Sequence, residues 1–164
     1  MRLTKLGGIT VLADTTLYQA EKISALFVAN AAVSVGMNVG LTTSNTAGKL
    51  VVKTPASANS DHLSLGIYEG EGGTGALTTT SGLTGRDAAA NDLIWVTIYG
   101  LATALVDGTT TDATDGNALT PSVTTAGELE SLANTFAAGA KPIYTCLETN
   151  TGATAAKKVF VRGM

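Results

Sequence analysis

The chain has 164 residues, of which 45% are hydrophobic and 14% charged, with a formal net charge of −3. That length suits one domain or two small lobes and supports a core without disulfides or metal. The hydrophobic content argues against disorder. The ten Lys and Arg are scattered and form no basic stripe of the kind that nucleic acid requires. No apolar run reaches the roughly 18 residues of a membrane-spanning helix. Thr, Ala and Gly fill the places that charged residues usually take. Thr suits a half-buried pleated surface, and a hydroxyl-rich surface is less costly to desolvate than one of Lys and Glu. Such a composition fits a protein that lies against neighbours, and equally a secreted β protein.

At the N-terminus, Arg2 and Lys5 precede an apolar stretch over 6–12, with Val11 and Ala13 spaced like a cleavage site. The stretch is too short and glycine-rich for a signal peptide, so synthesis in the cytoplasm is the expectation. Residues 16–29 admit two readings. One is a helix capped by Asp14, with Leu17, Ala20, Ser24, Phe27 and Val28 on one face. The other is a strand over 23–28.

An internal repeat organises the rest. Offset by 79 residues, Asn38 falls on Asn117, Thr46-Ala47-Gly48 on Thr125-Ala126-Gly127, Leu50 on Leu129, Glu69 on Glu148 and Gly73 on Gly152. Ala25-Leu26 falls on Ala104-Leu105. Each half reads as short strands between turns. Leu63, Leu65 and Ile67 alternate with Ser64, Gly66 and Tyr68, and residues 143–147 are their counterpart. Ile94, Val96 and Ile98 alternate with Trp95, Thr97 and Tyr99, and Val159 and Val161 flank Phe160. Turns are expected at Ala47-Gly48, Asp107-Gly108, Asp115-Gly116 and Ala126-Gly127. The expected fold is mainly β, with little helix: two related sandwich-like or barrel-like lobes. The expected division is an arm over 1–16, a lobe over 17–75, a Gly/Thr/Ala-rich linker loop over 76–91 and a second lobe over 92–164. Residues 1–16 have no repeat partner.

Five features could carry chemistry. Residues 70–75 spell G-x-G-x-x-G, but a dinucleotide site needs a helix next. The Thr triplet and two glycines of 76–85 do not supply one, so a loop is expected. Asp107, Asp112 and Asp115 with Asn117 offer oxygen ligands, but their spacing fails the calcium-loop pattern. Turns are expected there, with a bound cation as the alternative. His62 is the only histidine; no Gly-x-Ser-x-Gly surrounds any serine, and His62 aligns with the strand-edge Lys141. Cys146, the only cysteine, falls opposite Ile67 and reads as a small core residue. Trp95 and Tyr99 point away from Ile94, Val96 and Ile98. Both faces of that strand are apolar and both are expected to be covered. The outer cover could be a loop of the same chain, a neighbouring subunit or a sugar ring. No catalytic, cofactor-binding or metal-binding residue is assigned.

The order of these segments resembles a family. Residues 92–100 (Asp-Leu-Ile-Trp-Val-Thr-Ile-Tyr-Gly) are followed by Ala104-Leu105-Val106-Asp107-Gly108, then Asp115-Gly116-Asn117-Ala118-Leu119 and Ser122-Val123-Thr124-Thr125-Ala126-Gly127. Ala140-Lys141-Pro142-Ile143, Leu147-Glu148 and Val159-Phe160-Val161 complete the series. This is similar to the capsid decoration, or cement, proteins of tailed bacteriophages. The likeness covers about 90–164 directly and 25–75 through the repeat; residues 1–16 and 72–91 depart from it. It implies a non-enzymatic, mainly β protein, often a homotrimer, on the outer surface of the virion head. There it would bind the major capsid protein and itself, and neither nucleic acid nor membrane. Tail-tube and neck proteins share such patterns, and a carbohydrate-binding or adhesion module is the rival outside virions. The expected contact residues are Arg2, Leu3, Leu6 and Ile9 on the arm, with Trp95 and Tyr99.

Overall fold

The computed structural model describes residues 2–6, 9–13, 22–42, 51–53, 64–109, 111–122, 125–132 and 144–162. These form β1 (Arg2–Leu6), β2 (Ile9–Ala13), β3 (Ile23–Ala29), β4 (Asn38–Leu41), β5 (Val51–Lys53), β6 (Ser64–Tyr68) and β7 (Leu77–Thr80). There follow β8 (Leu83–Arg86), β9 (Leu93–Asp107), β10 (Ala118–Pro121), β11 (Leu129–Ser131), β12 (Tyr144–Cys146) and β13 (Ala155–Val161). Among the described residues there is no helix, and so none long and apolar enough to cross a membrane.

β9 is 15 residues long and takes part in two closed circuits. Its first half pairs with β3 and β6, and the order β9-β3-β5-β4-β6 returns to β9. Its second half pairs with β13 and β11, and β9-β13-β12-β10-β11 returns to β9. In each circuit one pairing is parallel, β3 with β5 and β9 with β11. The others are antiparallel. Closure removes the unpaired edges that open sheets must protect. The strand changes circuit at Gly100, whose φ is +97°. An L side chain rarely adopts that conformation, and glycine commonly marks such a bend in a barrel strand.

Each circuit encloses its own core. One holds Phe27, Ala29, Val39, Val52, Leu65, Tyr68, Ile94 and Val96. The other holds Ala102, Ala104, Val106, Leu119, Leu129, Tyr144, Cys146, Val159 and Val161. Ile67 belongs to the second cluster although β6 pairs in the first circuit. β6 is therefore buried on both faces, all five residues of it. A polar joint ties the circuits together. The Tyr144 hydroxyl donates to Asn38 Oδ1 at 2.5 Å, and the Ser64 hydroxyl donates to the same oxygen at 2.8 Å. Beside it, Leu105 N–H donates to the Gly36 carbonyl at 2.8 Å. Burial pushes the Tyr144 hydroxyl well above the ordinary tyrosine range, so it stays a neutral donor.

Several expectations change. Residues 23–29 are strand, not helix; pairing with β9 over six positions outweighs the weak amphipathic pattern. Residues 14–21 lie outside the described residues. The segment 76–91 is not a linker loop: β7 and β8 pair in register around Ser81 and Gly82, at φ +50° and +88°. Both turn residues have positive φ, as a tight hairpin requires, and the flanking Thr residues favour strand. Ala88 then bridges back to Val33. Nor does a second lobe begin at 92, because residues 93–99 complete the first circuit. The gapless offset of 79 also fails at the first turn. Gly36 and Gly116 hold the same left-handed turn position, at φ +83° and +85°, which is an offset of 80. Asn38 opens β4 while Asn117 precedes β10.

Removing the hydroxyl at the joint, Tyr144→Phe, is expected to lower unfolding stability by about 1–2 kcal/mol, the range for a lost buried hydrogen bond. Tyr99→Phe, at the surface, should change it by less than about 0.5 kcal/mol. Urea denaturation checks both. Equal midpoints for the wild type and Tyr144→Phe would show that the hydroxyl does not join the circuits.

Candidate functional site

The pairing of β3 with β9 sorts their side chains. Phe27 opposite Ile94, and Ala25 opposite Val96, face the first core. The alternate positions set Leu26 opposite Trp95, Ile23 opposite Tyr99, and Leu93 opposite Val28. These lie on the outer face, and among them Val28 alone is buried. Ile23, Leu26, Leu93, Trp95 and Tyr99 retain 48%, 47%, 46%, 41% and 37% of their surface. They form a strip two strands wide, in which Ser24 opposite Thr97 sets a polar pair between the Leu26–Trp95 and Ile23–Tyr99 pairs. Tyr99 extends it toward β13 by an edge-on contact with Phe160, with ring centroids 5.4 Å apart and planes at 77°. Large apolar and aromatic groups exposed together on one face mark an interaction surface. The expected cover over Trp95 and Tyr99 is thus not provided by the described residues of this chain.

A polar pin holds the strip's lower end. Glu69 accepts hydrogen bonds from Lys22 Nζ at 2.5 Å, Thr97 Oγ1 at 2.8 Å and Thr103 N–H at 3.0 Å. One carboxylate thereby spans the Gly100 bend from either side. A groove of about 370 Å³ opens beside it, lined by Lys22, Glu69, Leu101, Ala102, Thr103 and Lys158. Lys158 Nζ donates to Thr103 Oγ1 at 2.7 Å.

The upper flank is the glycine-rich loop. β6 precedes it and β7 follows it, so no helix N-terminus faces it. Its glycines answer packing. Gly72 has φ +90°, and a Cβ there would strike the Leu93 carbonyl. A Cβ on Gly73 would lie 2.5 Å from the Asp87 carbonyl oxygen and closer still to the Tyr68 hydroxyl. The Glu71 carbonyl accepts from Trp95 N–H at 3.0 Å, which fixes the loop against the strip. Asp92 clamps the far side, accepting from Thr74 N–H at 2.7 Å, Ala89 N–H at 2.7 Å and Thr74 Oγ1 at 2.8 Å. Those bonds, the Thr74 amide first and then the Ala89 amide, hold its carboxyl below the ordinary aspartate value. Tyr68 beneath donates to the Arg86 carbonyl at 2.8 Å. Its hydroxyl is pushed up to about 12 by burial and then by the charges of Asp87 and Asp92.

The other candidates are not gathered into a site. Asp107 is buried and its Oδ1 accepts from Thr109 N–H at 2.8 Å and Thr109 Oγ1 at 2.7 Å, an Asx turn. Asp112 and Asp115 are exposed, and Asn117 Nδ2 donates to Ser131 Oγ at 3.1 Å. Among the described residues no three His, Cys, Asp or Glu side chains are grouped to hold a metal. Cys146 is buried, with its thiol directed at the Glu148 carbonyl, 3.2 Å away. Desolvation raises its pKa, which disfavours the thiolate needed for nucleophilic attack. His62 lies outside the described residues. Arg2, Leu3, Leu6 and Ile9 fall on the β1–β2 hairpin, which pairs with no other strand among the described residues. Its register pairs Arg2 with Ala13, Leu3 with Leu12 and Leu6 with Ile9. Of the strip, sequence reasoning found Trp95 and Tyr99 and missed Ile23, Leu26 and Leu93. Alternation along β9 signals the aromatics; the β3–β9 register that completes the strip has no local signal.

No family model matches the chain, and no curated protein matches it. Among solved structures it is similar to the head fiber gp8.5 N base of bacteriophage phi29. The identity is 14% and the TM-score 0.49, over 87% of this chain and 97% of that one.

The Asp92 clamp titrates with a definite sign. Its carboxylate is more acidic in the folded chain than its ordinary value of 3.8. The clamp's contribution is therefore complete above that value and is lost as pH falls through the lower, folded value. Following the Thr74 and Ala89 amide resonances by NMR should show a shared transition with a midpoint below 3.8 that disappears in Asp92→Asn. A midpoint above 3.8 would contradict the clamp.

Proposed function

We propose that this chain is a structural, non-enzymatic protein of a tailed-bacteriophage virion, decorating the outer surface of the head. The observation that carries the reading is the open strip of Ile23, Leu26, Leu93, Trp95 and Tyr99 on a body otherwise closed into barrels. A charge-poor surface and the ordered resemblance of 90–164 to capsid decoration proteins accompany it. In this reading the protein is made in the host cytoplasm, assembles as a homotrimer and binds the major capsid protein. Trp95 and Tyr99 contribute contacts from the strip, and Arg2, Leu3, Leu6 and Ile9 from the N-terminal hairpin. A protein that binds only the assembled shell stabilises that shell by mass action. An interface of ordinary size, about 800 Å² per partner, repeated around the head would add to that effect. No catalytic group, cofactor or metal takes part.

The same reading extends to the two circuits. Their shared pairing order, each with a single parallel contact at the same place, favours descent from one duplicated unit.

The test is to size the purified protein and image it on undecorated heads. Discrete trimers at regular positions outside the shell are the expected result, with Trp95→Ala reducing occupancy at least about tenfold, as for a central aromatic anchor. Stacked hexameric rings would replace the head assignment with a tail tube. Wild-type occupancy by Trp95→Ala, together with loss of glycan binding on an array, would favour a carbohydrate-binding module.

A further inference from the structure

The second circuit closes where β11 meets β9, through the register pairs Leu129 with Val106 and Glu130 with Asp107. β10 continues the second of these rows, with Thr120 opposite Glu130. Val106, Leu119 and Leu129 fill the core, so Asp107, Glu130 and Thr120 share the opposite face of three adjacent strands. All three are buried there, at 4%, 8% and 9% exposure. Side chains opposite one another on neighbouring strands have Cβ atoms roughly 5 Å apart, and like charges so placed repel. Buried charges also need a counter-charge. Among the described residues neither carboxylate has a Lys or Arg partner; the ion pair found there joins Lys22 to Glu69. Asp107 accepts hydrogen bonds through Oδ1 from Thr109, and Glu130 through Oε2 from the Ser122 hydroxyl at 3.0 Å. Oδ2 of the one and Oε1 of the other are left over. The Thr120 hydroxyl is left over as well: its Oγ1 is buried and makes no hydrogen bond, not even to the carboxylate opposite.

We propose that Asp107 Oδ2, Glu130 Oε1 and Thr120 Oγ1 bind a divalent cation of the calcium class. Two carboxylates and a hydroxyl, with no nitrogen or sulfur among them, suit a hard cation. The two negative charges balance the two positive ones. A hydroxyl that faces a carboxylate without bonding to it keeps its lone pairs for a metal. Calcium tolerates an irregular oxygen set completed by carbonyls and water, where magnesium demands near-ideal octahedral geometry. The cation ties β9, β11 and β10 together across the closing contact of the second circuit. This set shares only Asp107 with the turn residues Asp107, Asp112 and Asp115, of which the latter two are exposed. The site is structural and lies on the second circuit, apart from the strip. It therefore stands or falls independently of the head reading.

The test titrates the full-length protein, stripped with EDTA, with calcium chloride by isothermal titration calorimetry. Thermal unfolding is followed over the same calcium range, and circular dichroism confirms the fold of each variant. The wild type is expected to bind one calcium ion, and its melting temperature should rise with calcium concentration, as for any ligand of the folded state. Glu130→Gln, Asp107→Asn and Thr120→Val each keep the side chain's shape. Each should weaken binding at least about tenfold and flatten the rise in melting temperature. Asp112→Asn combined with Asp115→Asn should bind like the wild type. Thr120→Val is the decisive variant, because it removes one oxygen and no charge; it remains readable if a carboxylate variant fails to fold. A wild type that binds no calcium up to about 10 mM, beyond the range of weak extracellular sites, overturns the proposal. So does wild-type affinity in Thr120→Val or Glu130→Gln. Loss of binding in the Asp112 and Asp115 protein overturns it too, by placing the ion in the turn.

Discussion

β9 is one continuous strand that two closed circuits must both use. Each barrel needs its segment of β9 to close: without 93–99, β3 and β6 are left with open edges, and without 100–107, β11 and β13 are. Neither core can therefore be completed independently of the other. The bend at Gly100, the Glu69 carboxylate across it and the buried Tyr144–Asn38–Ser64 contact all serve this arrangement. Each lies where one circuit hands over to the other.

The same constraint produces the exposed strip. A strand in a closed barrel turns alternate side chains inward, so Ile94 and Val96 fill the core and Trp95 and Tyr99 must face out. On the second half of β9 that outer face is partly occupied by Phe160 and Lys158. On the first half the neighbour is β3, which sets the apolar Ile23 and Leu26 on the same face, with Ser24 against Thr97 between them. Two such strands side by side leave a surface that water covers poorly. The glycine-rich loop, held at Trp95 and Asp92, edges the strip without covering it.

Much of the fold was legible locally. The alternation in β6, β9 and β13, the turns at Asp115-Gly116 and Ala126-Gly127, and the burial of Cys146 follow from period-two patterning and turn chemistry, which neighbouring residues carry. The glycine motif was read correctly as a loop because no helix-forming sequence followed it. The composition of 76–91, rich in Gly, Thr and Ala, reads as a linker loop, yet Thr favours strands and Ser81-Gly82 suits the hairpin turn that joins β7 to β8. Residues 16–29 read equally as helix or strand by sequence, because the pairing that decides Ile23–Ala29 comes from β9, about seventy positions away. The division into lobes failed because composition does not reveal that one strand can serve two sheets.

By itself, then, the sequence determined a β-rich, charge-poor chain, the strands β6, β9, β12 and β13 with several turns, and the outward pair Trp95 and Tyr99, since these depend on adjacent residues and on the two-residue period of a strand. Only the tertiary structure decided that the circuits share β9, that Glu69 pins the bend, and that Ile23, Leu26 and Leu93 join the aromatics in one strip. Those outcomes depend on strand register between distant segments, which is set by the simultaneous closure of two barrels and leaves no local trace.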